Sequence, residues 1–165
     1  MVHFADGKAV EELEVRNDGV GIQRSRMAYD KELPFEEWVN TLPASLRSDP
    51  LWKSAYYRLA MYLYDLVWLD SVVINKDFRG REIVHQAVRS AGSVCANMEE
   101  AYRRGIGTAD FVRIRRIALG ELGETQGWYF RSRHLFNEET LNKRIKVVQQ
   151  AIALTVTAIN QNRKR

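Results

Sequence analysis

A chain of 165 residues with 45% apolar and 28% charged residues has the ordinary make-up of one globular domain with a modest extension. No apolar run approaches the roughly 20 residues a membrane-spanning helix needs, and the opening MVHFADGKAVEELEV lacks the basic-then-apolar build of a secretory signal, so a cytoplasmic protein without a membrane partner is expected. The net charge of +4 hides a division: residues 1–49 carry six Lys/Arg against ten Asp/Glu, while residues 50–165 carry nineteen against eleven, which favours polyanionic or acidic partners for the second part.

Residues 1 to about 32 are polar, contain NDGVGIQRSR and hold no sustained period, which predicts a mobile or loosely held arm. The acidic extension 1–49 then tightens near 34–42, where Phe35, Trp38 and Leu42 between Pro34 and Pro43 predict a short docking helix with an aromatic face to bury. Asp49-Pro50 reads as a helix start, followed by Trp52, Ala55, Tyr56, Leu59, Leu63, Leu66 and Val67 at three- and four-residue steps, ending near Val73. Past NKDFRG, a second helix carries Val84, Ala87, Val88, Ala91, Val94, Cys95, Met98, Ala101 and Tyr102 on one stripe and stops at Arg104-Gly105. The lone cysteine, Cys95, excludes an internal disulfide and reads as a small buried filler.

Thr108 caps a third helix of about 27 residues, roughly 40 Å long, with Phe111, Ile114, Ile117, Ala118, Leu122, Thr125 and Trp128 expected inward. Asn137, with Glu138 and Glu139 in the first turn, starts a fourth, whose Leu141, Ile145, Val148, Ile152, Thr155 and Ile159 keep a near-heptad step. Residues 50–165 are thus predicted to form an all-α, antiparallel up-down-up-down four-helix bundle. Gly120, Gly123 and Gly127 recur at three- and four-residue spacing inside the third helix, where each costs about 1 kcal/mol relative to alanine, so they are expected at a helix or subunit seam.

In that topology the end of the second helix, the start of the third and the end of the fourth share one pole. It would gather Arg103, Arg104, Arg113, Arg115, Arg116, Arg163, Lys164 and Arg165, whose planar forks suit phosphate or carboxylate. The opposite pole collects Arg79, Arg81, Arg131, Arg133, His134, Lys143, Arg144 and Lys146, diluted by acids. Asn97, Glu100 and Glu124 are expected in a structural polar network between the hairpin helices. Glu82-x-x-His85 is one copy of a step that di-iron bundles need twice, and no nucleophile, phosphate loop or dinucleotide fingerprint accompanies the carboxylates. No catalytic residue, metal or cofactor is therefore expected, and a non-enzymatic protein is predicted.

The segment GSVCANMEEAYRRGIGTADFVRIRRIALGELGET resembles the four-helix bundle protein family also called the 23S rRNA intervening-sequence protein family. Ser93, Asn97, Glu100 and Tyr102 match one block of its pattern, and Ala118, Leu119, Gly120 and Glu124 match a second; the likeness covers roughly residues 50 to 160. Glu99, Ala101 and Glu121 depart from it. The resemblance implies a homo-oligomer, most often a pentamer, and kinship with the accessory variability determinant protein of diversity-generating retroelements. The expected role is therefore an oligomeric accessory protein that binds RNA or DNA and, in the finer form of this reading, a reverse transcriptase. The alternative is a scaffold whose basic pole grips an acidic protein.

Overall fold

Pro34 and Pro43 each precede a short helix with φ near −55°, the torsion their rings impose, so the chain enters α1 (Phe35–Thr41) and α2 (Ala44–Arg47) from an extended approach. The computed structural model describes residues 31–163, with side chains as far as Asn162. The expected mobile or loosely held arm falls on residues outside that range except for Lys31 and Glu32, and Lys164 and Arg165 lie outside it too.

After α2 the helix expected from Pro50 does not begin there. The Asp49 carboxylate accepts the Leu51 N–H at 2.8 Å, but it caps only a 3-10 turn, Pro50–Lys53. Ser54 is extended, and the long helix α3 runs Ala55–Ile74. Burial explains the break: the extra turn buries both Leu51 and Trp52, at 3% and 6% exposure, with Trp52 against Trp38 of α1. Three more long helices complete the chain: α4 (Gly80–Arg103), α5 (Ala109–Arg131) and α6 (Glu138–Arg163). A second 3-10 turn, Arg133–Leu135, ends the third predicted helix short of His134. Among the described residues the structure is all-helical, without a strand.

Each long helix packs on two others: α3 on α4 and α6, α5 on α4 and α6. Leu63, Leu66, Val67, Val94, Met98, Ala118, Leu122 and Val148 fill the space between them, none more than 2% exposed. Each large aliphatic buried this way contributes roughly 1.5–3 kcal/mol. Ile117, expected inward, is 44% exposed, because its step of one residue from Ala118 turns it out of the stripe. A buried hydroxyl pair crosses the middle of the α4–α5 contact: Thr125 Oγ1 donates to Ser90 Oγ at 2.9 Å.

The connections are set by backbone chemistry. Gly105 and Gly107 have φ of 101° and 87°, a region costly for any other residue, and Thr108 Oγ1 accepts the Phe111 N–H at 3.1 Å to start α5. Ala101, Phe111 and Ile114 form a small separate core beneath this turn. At the other end Gly80 lets the chain fold back onto α3, since a Cβ there would sit 1.9 Å from the Ile74 carbonyl oxygen. Helix α1 clips onto α3 of the same chain. Trp38 Nε1 donates to Asp65 Oδ2 at 2.7 Å, the Tyr62 hydroxyl donates to the Leu33 carbonyl at 2.7 Å, and Trp38 lies against Tyr62 and Trp52. Partial burial in this cluster raises the Asp65 carboxyl, against the Trp38 hydrogen bond that lowers it.

Candidate nucleic-acid interface

The basic residues around the α4–α5 turn separate into three kinds. Arg103 and Arg116 are exposed and form no ion pair among the described residues. Arg104 and Arg113 are exposed too, but acids hold them: Arg104 meets Glu100 at 2.8 Å and Asp110 at 3.9 Å, and Arg113 meets Asp110 at 3.1 Å. Ion pairs this open to solvent are worth at most about 1 kcal/mol and leave the guanidinium edges available.

Arg115 is not on the surface, which corrects its expected place at the pole. The residue is 3% exposed, and its guanidinium carbon lies 4.0 Å from the Phe111 ring centroid and 4.1 Å from that of Tyr56. The Tyr56 hydroxyl accepts a hydrogen bond from Nη2, while Nε has no partner. Desolvation pulls Arg115 down to about 10. A cation between two aromatic faces replaces water with the ring quadrupoles, which explains why no acid is needed beside it. Arg163 ends α6, and its side chain, with Lys164 and Arg165, lies outside the described residues.

Of the helix-or-subunit seam expected at the glycines, only the helix half is tested inside this chain. A Cβ on Gly120 or Gly123 would meet nothing within 4 Å, so no helix of the same chain closes on them, and the helix-seam reading is corrected. Over Gly127 lies only the Arg131 side chain, which reaches back to stack on Trp128. Together Arg113, Arg116, Gly120, Gly123 and Gly127 keep a three-four-three-four step along the outer face of α5.

Asn97, Glu100 and Glu124 do not form one network. Asn97 donates to the Ser93 carbonyl of its own helix at 2.8 Å and Glu100 holds Arg104. Glu124 alone bridges helices, accepting from Arg89 of α4 and from Trp128 Nε1 at 3.1 Å. The cause is helical register: Glu100 points outward past Ala101, out of reach of Glu124. Glu99 instead accepts the Tyr57 hydroxyl at 2.8 Å, and burial with that carboxylate raises the Tyr57 phenol.

A buried cluster that periodicity alone did not bring out joins α3, α5, α6 and the stretch before α1. Arg144 is bonded to Asp70 and Glu32, and the Tyr129 hydroxyl donates to Asp70 at 2.8 Å. Its signal was an arginine three residues after Leu141 and four before Val148, on the inward stripe of α6. Burial drives the Tyr129 phenol well above its ordinary value, and the Arg144 hydrogen bond lowers the Glu32 carboxyl. Cys95 is buried, its thiol pushed up to about 12, which leaves it without thiolate chemistry at neutral pH. Among the described residues no three His, Cys, Asp or Glu side chains converge as metal ligands, and no helix is long and apolar enough to cross a membrane.

Fold and surface together define an all-helical protein with an arginine-edged, glycine-lined face on one of its long helices. The chain belongs to the 23S rRNA-intervening sequence protein family, whose sequence pattern matches residues 53–157. No curated protein and no solved structure matches it significantly.

Proposed function

We propose that the four long helices form an antiparallel up-down-up-down bundle that self-associates and binds RNA or DNA phosphates, without catalysing a reaction. The contacts at the helix ends support the topology: the start of α3 meets the end of α4 through Tyr57 and Glu99 and the start of α5 through Tyr56 and Arg115. Its end meets the end of α5 and the start of α6 through Asp70, Tyr129 and Arg144.

The observation that carries the functional reading is the outer face of α5. Its three-four spacing is that of a coiled-coil seam, and bare Gly120 and Gly123 let another helix approach closely. A ring closed along this seam, with five subunits as the family resemblance implies, sets Arg103, Arg104, Arg113 and Arg116 of every subunit around one rim. Guanidinium groups repeated around a rim meet the evenly spaced phosphates of any strand, which gives phosphate-directed, sequence-tolerant binding. A reverse transcriptase accessory role is the finer form of this reading, in which the rim holds template or transcript. The exposed Arg103 and Arg116 favour it over an acidic protein partner only through repetition, since one rim then meets a polymer of evenly spaced charges.

The test is affinity for a single-stranded RNA as a function of salt, with light scattering on the same samples. Several phosphate contacts give a steep linear fall of log affinity with log salt, and Arg103→Gln with Arg116→Gln reduces the slope. A salt-independent affinity, or a monomer that binds RNA equally well, refutes the proposal.

A further inference from the structure

Arg144 projects from the first turns of α6 into the core, where its side chain is 4% exposed. Asp70 of α3 accepts Nε at 2.7 Å and Nη2 at 3.0 Å. That edge of the guanidinium is fixed by a carboxylate which is itself 6% exposed and is held in turn by the Tyr129 hydroxyl. The second edge, Nη1 and Nη2, donates to Glu32 at 2.9 and 2.8 Å. Glu32 is of another kind: it belongs to no helix, and its side chain is 44% exposed. It stands at the polar end of a cleft of about 620 Å³ whose apolar walls are Leu69, Val72, Val73, Leu135 and Phe136.

We propose that this cleft binds a small carboxylic acid with an apolar body, and that Glu32 is the occupant it displaces. A desolvated guanidinium with one edge locked presents two parallel N–H donors to the other, the arrangement that selects a planar carboxylate. The volume falls within the roughly 300–1,000 Å³ of small-molecule sites. Val72, at 64% exposure, and Val73, at 41%, offer apolar surface that nothing in the described chain covers, beside the one buried arginine edge that reaches the cleft. The exchange conserves charge, one carboxylate leaving as another enters, so Arg144 and Asp70 stay balanced throughout. Ligand and Glu32 exclude one another, and each therefore weakens the other by the same factor. The Trp38–Asp65 and Tyr62–Leu33 hydrogen bonds keep α1 in place, so occupancy frees the Glu32 side chain rather than the clip.

The test uses the full chain and octanoate, with octanol as the probe that shares its body and lacks its carboxylate, monitored by calorimetry and by amide shifts at Val72, Val73 and Phe136. If Glu32 holds the guanidinium nine-tenths of the time, Glu32→Ala binds octanoate about tenfold tighter than the unaltered chain, and Glu32→Gln does the same. Octanol gains nothing from either substitution. Equal octanoate affinity with and without Glu32, an equal gain for octanol, or shifts confined to another part of the molecule overturns the proposal.

Discussion

Replacing Arg115 by methionine removes a charge while keeping most of the unbranched stem between Phe111 and Tyr56. Two contributions oppose each other. The rings, 4.0 and 4.1 Å from the guanidinium carbon, supply about 1–2 kcal/mol each as desolvated cation–π contacts. Burying a guanidinium with no carboxylate beside it, and with Nε unbonded, costs several kcal/mol, the penalty that also pulls its pKa to about 10. The balance is near zero or slightly unfavourable to the native charge, so Arg115→Met is expected within about 1 kcal/mol of the parent, on the stabilising side. For a chain of this length that is a midpoint change of no more than about 4 °C in a thermal melt. Arg115→Glu sets an unpaired anion against two negative ring faces and is expected to cost more than about 3 kcal/mol. RNA affinity should survive Arg115→Met and fall with Arg116→Met. A methionine variant that melts more than about 8 °C lower, or that loses as much RNA affinity as Arg116→Met, refutes the assignment of Arg115 to the interior.

Three further outcomes are expected. Because Arg144 lowers the Glu32 carboxyl, the ionised form is tighter in the folded state, so its contribution is complete above the ordinary carboxylate value and is lost as pH falls through the lowered one; urea midpoints should drop as pH falls below the ordinary carboxylate value, and Glu32→Gln should flatten that part of the profile. Gly120→Ala places its methyl in open space, so monomer stability should rise by about 0.5–1 kcal/mol, while Gly120→Leu should lower the mass seen by light scattering if the seam joins subunits. Gly80→Ala drives a methyl into the Ile74 carbonyl and should cost about 2–4 kcal/mol in urea unfolding, with helical content retained at low denaturant.

Helix type and the α4–α5 turn were legible because the signals are local: apolar steps of three and four, glycines where φ must be positive, Thr108 at a cap. The position of single cations was not. Arg115 lies four residues after Phe111 and three before Ala118, so the stripe that defines the core of α5 runs through it, and only the prior that arginine stays outside hid this. Arg144 repeats the lesson on α6. The partners that make each burial tolerable, Tyr56 for one and Asp70 with Glu32 for the other, are separated from them by 59, 74 and 112 residues, and no local pattern pairs residues across such distances. The start of α3 differs for a related reason: Asp49-Pro50 carries a true cap signal, yet burial of Leu51 and Trp52 holds Pro50–Lys53 in a 3-10 turn and delays the long helix to Ala55. The outward turn of Gly120 and Gly123 could not be separated from a helix contact by spacing alone, since both uses need the same small residues.

The Ser90–Thr125 hydroxyl pair has a mechanical consequence. Sliding α4 against α5 by one turn would break this bond, worth about 0.5–1.5 kcal/mol net, while each hydroxyl keeps a carbonyl of its own helix, Ala87 for Ser90 and Glu121 for Thr125. The pair therefore favours one register of the hairpin over its neighbours, as a detent rather than a lock.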